Sequence, residues 1–404
     1  MHFRQQFLFP STPTGEPFVY LAGNSLGLQP IKAREYINQE LEDWAKFGVE
    51  GHLHARHPWL PYHEFVTESL ARIVGARPSE VVAMNSLTVN LHLLMVSFYR
   101  PTPKRFRIVI ESGAFPSDQY AVASQARFHG FDPKTAIVSL APRAGESTLR
   151  TEDILAFLER EGDSVALLLL GNVNYLTGQA FAMAPITAAA QKQGCVVGWD
   201  LAHGAGNLNL QLHDWNVDFA AWCSYKYLNS GPGGIAGIFV HERHGLRSDI
   251  PRFAGWWGHS KQTRFQMGPE FEGMSGAEGW QLSNPPIFQL AALRASLELF
   301  DAATIPRLRE KAIALTGYLE GLLDSIPQRQ FEVITPRDPE QRGCQLSLRI
   351  LGNGRELAAK LTAKGILCDF REPDIIRASP VPLYNSFLDV YRFAEVLRRF
   401  GGKA

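Results

Sequence analysis

Lys226 stands between two tyrosines in the string Trp222-Cys223-Ser224-Tyr225-Lys226-Tyr227-Leu228-Asn229. The apolar run Asp218-Phe219-Ala220-Ala221-Trp222 precedes it, and the turn Gly231-Pro232-Gly233-Gly234 leads into a second run, Ile235 to Val240. A lysine pinned between two buried strands is a candidate for Schiff-base chemistry. Upstream, the run Gly198-Trp199 ends in Asp200, followed by Leu201-Ala202-His203. A carboxylate at a strand end can keep a pyridine nitrogen protonated while a lysine holds the carbonyl carbon. Those are the two groups that pyridoxal-phosphate chemistry requires of a protein. Arg377 lies between Ile375-Ile376 and Ala378-Ser379-Pro380. An arginine in an apolar setting wants a carboxylate. That carboxylate is either an internal salt-bridge partner or the substrate's own.

The elements that must position these groups follow from the hydrophobic pattern. Phe18 to Leu21 reads as a short strand, Gly23-Asn24-Ser25-Leu26-Gly27 as a loop, and Ile31 to Phe47 as a helix. Gly51 to Trp59 is a loop with three histidines whose spacing fits no zinc motif. From Tyr62 onward helices and strands alternate. The strands are Val81–Met84, Arg107–Glu111, Thr135–Leu140, Val165–Leu170, Cys195–Asp200 and the two around Lys226. This alternation predicts an α/β fold with a mainly parallel sheet of about seven strands. Asn85-Ser86-Leu87-Thr88 opens the helix after the first of them, with Asn85 and Ser86 as candidate caps. A helix amino end directly after a strand suits a phosphate, although an ordinary capped helix reads the same way. Phe115-Pro116-Ser117-Asp118 opens another helix, where Phe115 could stack on a cofactor ring and Ser117 or Asp118 could cap. Residues 251–286 form a long Gly- and Trp-containing loop, of the kind found at functional or interface positions. A helix from Ile287 to Ala302 then leads to a small α+β domain with strands Phe331–Ile334, Cys344–Ile350 and Ile366–Phe370 and a last helix, Ser386–Phe400. The domains expected are an N-terminal arm over 1–60 that contributes to the small domain, a large cofactor-binding domain over 61–286, and a linking helix with the C-terminal small domain over 287–404.

Composition narrows the class. The 404 residues are too many for one simple core. The formal net charge is zero, which favours neither nucleic acid nor an anionic membrane. No apolar run approaches the roughly 20 residues of a membrane span, and the first residues carry no signal-peptide pattern. Cys195, Cys223, Cys344 and Cys368 lie in apolar runs without C-x-x-C pairing or a histidine at metal spacing. They read as reduced, buried thiols of a cytosolic protein that holds no metal. The tail from Gly401 to Ala404 is expected to fray.

Several strings, taken together and in order, resemble the kynureninases, which are pyridoxal-phosphate enzymes of the aminotransferase-like fold. They are Leu87 to Met95, Phe115 to Asp118, Asp200 to His203, Cys223 to Asn229, Gly255 to His259, Ser283 to Pro286 and Pro380 to Ser386. The resemblance runs essentially end to end. It implies hydrolysis of L-kynurenine or 3-hydroxy-L-kynurenine to an anthranilate and L-alanine, in tryptophan catabolism or pyridine-nucleotide biosynthesis, by a homodimer with composite active sites. It makes Lys226 the Schiff-base lysine and later a base at the α-carbon, Asp200 the partner of the pyridine nitrogen with His203 beside it, and Phe115 the stacking ring. Leu87, Thr88 and Tyr225 fall at phosphate and ring contacts, and Pro116, Ser117 and Asp118 in the same cofactor segment. Tyr225 is also a candidate acid and base near the bond-breaking step. Trp256 and Asn284 match positions that reach the cofactor phosphate across a dimer interface, and Arg377 the clamp on the substrate carboxylate. His52 and Asn284 match positions near the substrate ring in relatives that prefer the 3-hydroxylated substrate, and the lean is toward that substrate. One departure is Gly171, where some relatives carry serine. The rivals are a cysteine desulfurase of the same fold, which would need a mobile nucleophilic cysteine, and a non-catalytic protein that keeps the fold. Lys226, Asp200 and Arg377 are all present, which argues against the second.

Overall fold

The computed structural model describes residues 3–247 and 249–401; the tail beyond Gly401 lies outside the described residues. Its centre is a seven-stranded sheet in the order Val81–Ala83, Gly237–Val240, Phe219–Trp222, Val196–Asp200, Val165–Gly171, Arg107–Glu111, Ile137–Leu140. From Phe219–Trp222 to Ile137–Leu140 all pairings are parallel. Gly237–Val240 runs antiparallel to both of its neighbours. The reason lies in the connections. The parallel strands are joined by helical crossovers such as Pro116–Phe128, Thr151–Glu161 and Met183–Lys192. The segment carrying Lys226 contains no helix, and a helix-free return of this kind gives an antiparallel neighbour. Val165–Leu170 is buried throughout, as a strand covered on both faces must be.

A second sheet is fully antiparallel, in the order Phe331–Val333, Leu346–Ile350, Ile375–Ala378, Asp369–Arg371. Helices Ile305–Asp324, Gly354–Ala363 and Phe387–Gly401 accompany it, and their apolar faces share one core with its strands. The single strand expected over Ile366–Phe370 is two strands. Ile366–Leu367 pairs in parallel with Val19–Tyr20 of the arm, and after Cys368 the chain joins the small sheet at Asp369. Val19 and Leu21 belong to the core beneath that sheet.

The arm then crosses to the large sheet. Leu21 donates to the Leu367 carbonyl and accepts from the Ser379 amide, at 2.7 and 2.8 Å. The Gly27 amide donates to the Tyr225 carbonyl at 2.8 Å. A side chain at Gly27 would collide with the Lys226 carbonyl and with Asn229, so the close approach requires glycine. Helix Ile31–Phe47 packs on helix Ile287–Ala303, with the Arg294 guanidinium 4.5 Å from the Tyr36 ring centre. Two local expectations differ. Gly51–His54 is a short helix within the histidine loop, and residues 133–136 form a helical turn ahead of a strand that starts only at Ile137.

Candidate active site

The carboxyl ends of the parallel strands meet in one cavity of about 190 Å3. Lys226 enters it from the bend after Phe219–Trp222, and Asp200 from the last residue of Val196–Asp200. Glu111 ends its strand beside them, and Gly171 ends the strand between. The helix that starts at Leu87 points its amino end into the same space, with Ser86 and Thr88 on the wall. Phe115, Ser117 and Asp118 line it from the start of their helix, with His203 and Tyr225 across from them.

The charges are arranged in a definite way. Lys226 Nζ lies 3.1 Å from His203 Nε2 and 5.9 Å from the centres of the Phe115 and Tyr225 rings. Burial, with the nearby Lys226, Arg377 and Arg371 charges, holds His203 well below the usual imidazole range. The ring is therefore neutral, with Nε2 in hydrogen-bond contact with Lys226 Nζ. Asp200 Oδ1 accepts the Ala202 amide at 2.6 Å. Burial raises both Asp200 and Asp118, and Asp118, the more strongly raised, donates to Asp200. The pair thus shares one proton, with the negative charge on Asp200. Glu111 is pushed up to about 7, first by burial. Its only side-chain hydrogen bond among the described residues is from the Gly171 amide, at 3.3 Å. Tyr225 is raised by burial and by the nearby Cys223.

This donor set fits pyridoxal phosphate. The Asp200–Asp118 pair carries its negative charge in the same cavity as Lys226, which is where a protonated pyridine nitrogen finds a carboxylate partner. The helix amino end beside it accepts an anion. Ser86 occupies the cap position but makes no side-chain cap bond, and Asn85, expected as an alternative cap, turns left-handed (φ 49°) and donates to Asn90 instead. The first amides of that helix therefore have no side-chain acceptor, and Thr88 Oγ1 and Ser117 Oγ stand 2.8 Å apart next to them. Ser117 and Asp118 do not cap their own helix either. Phe115 holds the cap position without a side-chain bond, while the two polar groups turn to Thr88 and Asp200.

Other expected residues lie elsewhere. Pro116 opens its helix on the exposed side. Trp256 is 41% exposed and donates through Nε1 to the Arg264 carbonyl. Asn284 is exposed and lines a neighbouring hollow with Ser86 and Gly233. His52 Nδ1 contacts the Val49 carbonyl at 2.9 Å, and its ring packs edge-on to Trp59. None of these four lines the Lys226 cavity of its own chain. Arg377 is buried, and the internal salt bridge is real: Nη2 lies 2.8 Å from Asp369 Oδ2, and Nη1 donates to the Tyr175 carbonyl at 2.7 Å. Tyr175 in turn packs edge-on to Phe115, at 5.2 Å between ring centres. Glu111 and Tyr175 line the cavity and were missed by motif reading, while Arg377 and its partners Ser25 and Asp369 lie outside the lining, behind Tyr175. Only Glu111 carried a usable signal, as a charge at the carboxyl end of an apolar strand.

The thiols are poor nucleophiles. Burial pushes Cys344 and Cys368 up to about 12 and Cys195 up to about 11, and all four cysteines are free. The partly exposed Cys368 is the one that departs from the fully buried set expected.

Comparison with known proteins places this geometry. Residues 308–397 match the kynureninase C-terminal domain. A kynureninase of Myxococcus xanthus is 67% identical over 395 residues, covering 98% of this chain and 93% of the relative. Among solved structures, a C-DES mutant with glycine covalently linked to its PLP cofactor superposes with a TM-score of 0.81 at 19% identity, covering 98% of both chains. The cysteine desulfurase CsdA of Escherichia coli superposes with a TM-score of 0.79 at 21% identity, covering 98% of this chain and 97% of that one. The structural likenesses carry the fold, and the sequence likeness over nearly the whole length carries the family: the chain belongs to the kynureninase family of enzymes.

Proposed function

We propose that this protein binds pyridoxal phosphate in the Lys226 cavity and hydrolyses L-kynurenine, 3-hydroxy-L-kynurenine or both to the corresponding anthranilate and L-alanine. The observation that carries the reading is the approach of Lys226 Nζ to a neutral His203 in a cavity shared with the buried Asp200–Asp118 pair. Asp200 would meet the ring nitrogen, Phe115 a ring face, and Thr88, Ser117 and the helix amino end the phosphate, with Leu87 and Tyr225 beside them. Bound there, the cofactor supplies an electron sink for bond-breaking next to the amino-bearing carbon.

The chain's own residues supply the rest. Lys226, held 3.1 Å from the neutral His203, is the base that removes the α-proton and returns it. Arg377 fixes the carboxylate, which orients the α-hydrogen toward Lys226 and lowers the entropic part of the barrier. Tyr225, protonated because it is buried, is an acid for the oxygen at the bond that breaks. The assembly in this reading is a cytosolic homodimer, in which Trp256 and Asn284 of a second copy approach the phosphate. His52 and Asn284 would then act on a 3-hydroxyl only when two chains meet. Support for this comes from the exposure of Phe253 (56%), Trp256 and Phe265 (59%) on the long loop, and from the free cysteines.

The test is steady-state turnover of both substrates by the purified, cofactor-loaded protein, with Lys226→Ala alongside. Alanine and an anthranilate should appear with wild type and not with the variant. A wild type inert toward both substrates, or an active Lys226→Ala, would overturn the assignment.

A further inference from the structure

Arg377 is not a free clamp. Its Nη2 lies 2.8 Å from Asp369 Oδ2 and 3.1 Å from Ser25 Oγ, which itself donates to the same carboxylate oxygen. Arg371 approaches the other oxygen, with Nε 3.0 Å from Asp369 Oδ1. Arg377 is 98% buried at its side chain and Asp369 88%, whereas Arg371 is 41% exposed. Three buried atoms of the cluster make no hydrogen bond among the described residues: Arg377 Nε, Arg371 Nε and Asp369 Oδ1. Arg377 Nη1 donates to the carbonyl of Tyr175, which lines the Lys226 cavity, so the cluster borders the reacting centre.

Two guanidinium groups and one carboxylate leave the cluster with a single positive charge. That matches one substrate carboxylate. Without Asp369 the same pocket would present two cations around a buried site. Such a site attracts carboxylates more strongly but is costly to keep empty. The geometry points to Asp369 as a positioning and specificity-determining residue: it holds Arg377 by one edge, shares that guanidinium with the substrate carboxylate, and sets the cluster's charge for a monocarboxylate. Ser25 ties this arrangement to the arm whose Gly27 contacts the lysine segment. The inference rests on the proposed role of Arg377 and deepens it.

The experiment uses the holoenzyme and two probes, L-alanine and L-alaninamide, which differ in the carboxylate alone. Binding is read from the cofactor's absorbance rather than from turnover. Wild type should prefer alanine. Asp369→Asn raises the cluster charge and should tighten alanine by about tenfold or more while leaving alaninamide unchanged, because like-charge and opposite-charge changes at such sites are worth more than the tenfold step of 1.4 kcal/mol. Asp369→Glu keeps the charge and should restore the wild-type preference for alanine. Arg371→Gln alters only a half-exposed side chain, so it tests the idea even where Asp369→Asn fails to fold. It removes one charge and should weaken alanine by about tenfold against the amide. If Asp369→Asn weakens alanine, or Arg371→Gln leaves the alanine-to-amide ratio unchanged, Asp369 merely scaffolds Arg377 and the inference is wrong. If wild type itself does not distinguish the acid from the amide, the carboxylate role of Arg377 fails first, and the two failures are told apart.

Discussion

Glu111 shows what a single buried group does to this protein's energetics. Its carboxyl sits among Asp118 and Asp200 with no cation of its own, and burial moves it from an ordinary 4.5 to about 7. The folded protein therefore keeps a proton there that the unfolded chain releases above about pH 4.5. Proton uptake is larger in the folded state between these values, so the contribution to stability is complete at low pH and is lost as pH rises through about 7. The full span is worth roughly 3 kcal/mol. Glu111→Gln can still accept the Gly171 amide and has no proton to lose. Its unfolding free energy should fall less steeply than that of wild type between pH 5 and 7, with the slope from the raised Asp118 and Asp200 left in both, and denaturant melts at three pH values would show it. Parallel slopes for the two proteins would mean that Glu111 is already ionised, with a counter-charge elsewhere. The neighbouring Gly171 fits this picture: a Cβ there would stand 3.0 Å from Glu111 Oε1, so the glycine leaves the carboxyl its space.

At the scale of elements, the arm loop and the lysine segment behave as one unit. The Gly27 amide bonds to Tyr225, and a Cβ on Gly27 would run into the Lys226 carbonyl and Asn229, which is itself left-handed (φ 52°). Gly27→Ala has no space without moving one of the two segments. The expected result is a loss of about 1–3 kcal/mol in denaturant unfolding, together with weaker retention of cofactor at Lys226, visible as faster release on dialysis. An unfolding loss with unchanged cofactor retention would show that the loop is only a packing element. Most of these elements were legible in the sequence. Ile31–Phe47, Arg107–Glu111 and Thr151–Glu161 fall where periodicity puts them, because each has a clear apolar face or run and marked ends. The cavity's Lys226, Asp200, His203, Phe115 and Thr88 were legible through their strings. Three things were not. Ile366–Phe370 reads as one β run, but which sheet each half joins depends on Val19, far away in the chain. Cap preference at Asn85 and Ser86 was overridden by a turn that opens the helix end toward the cavity. The partner of Arg377 could have been any carboxylate, since no local pattern links positions 25, 175, 369 and 377.

The whole molecule still carries apolar surface that one chain does not cover. On the loop over 251–286, Phe253, Trp256, Phe265 and Met267 are 56, 41, 59 and 69% exposed, and Trp256 packs edge-on to Phe265 at 5.5 Å. Exposed aromatic and methionine clusters of this kind mark interfaces. This is also the segment whose Trp256 and Asn284 stand outside their own chain's cavity. A second copy seated on the loop would cover the cluster and bring those two residues to the other chain's phosphate end. Light scattering should then give a particle of twice the 45.0 kDa chain mass. Phe265→Asp puts a charge into that contact without touching the Lys226 cavity, where Phe265 has no part. It should shift the particle toward the single-chain mass and lower turnover in proportion to the monomer formed, with activity recovering as protein concentration is raised. A variant that stays at twice the chain mass and keeps full activity would place the interface on another face. A wild type that runs as a single chain at full activity would end the composite-site reading altogether.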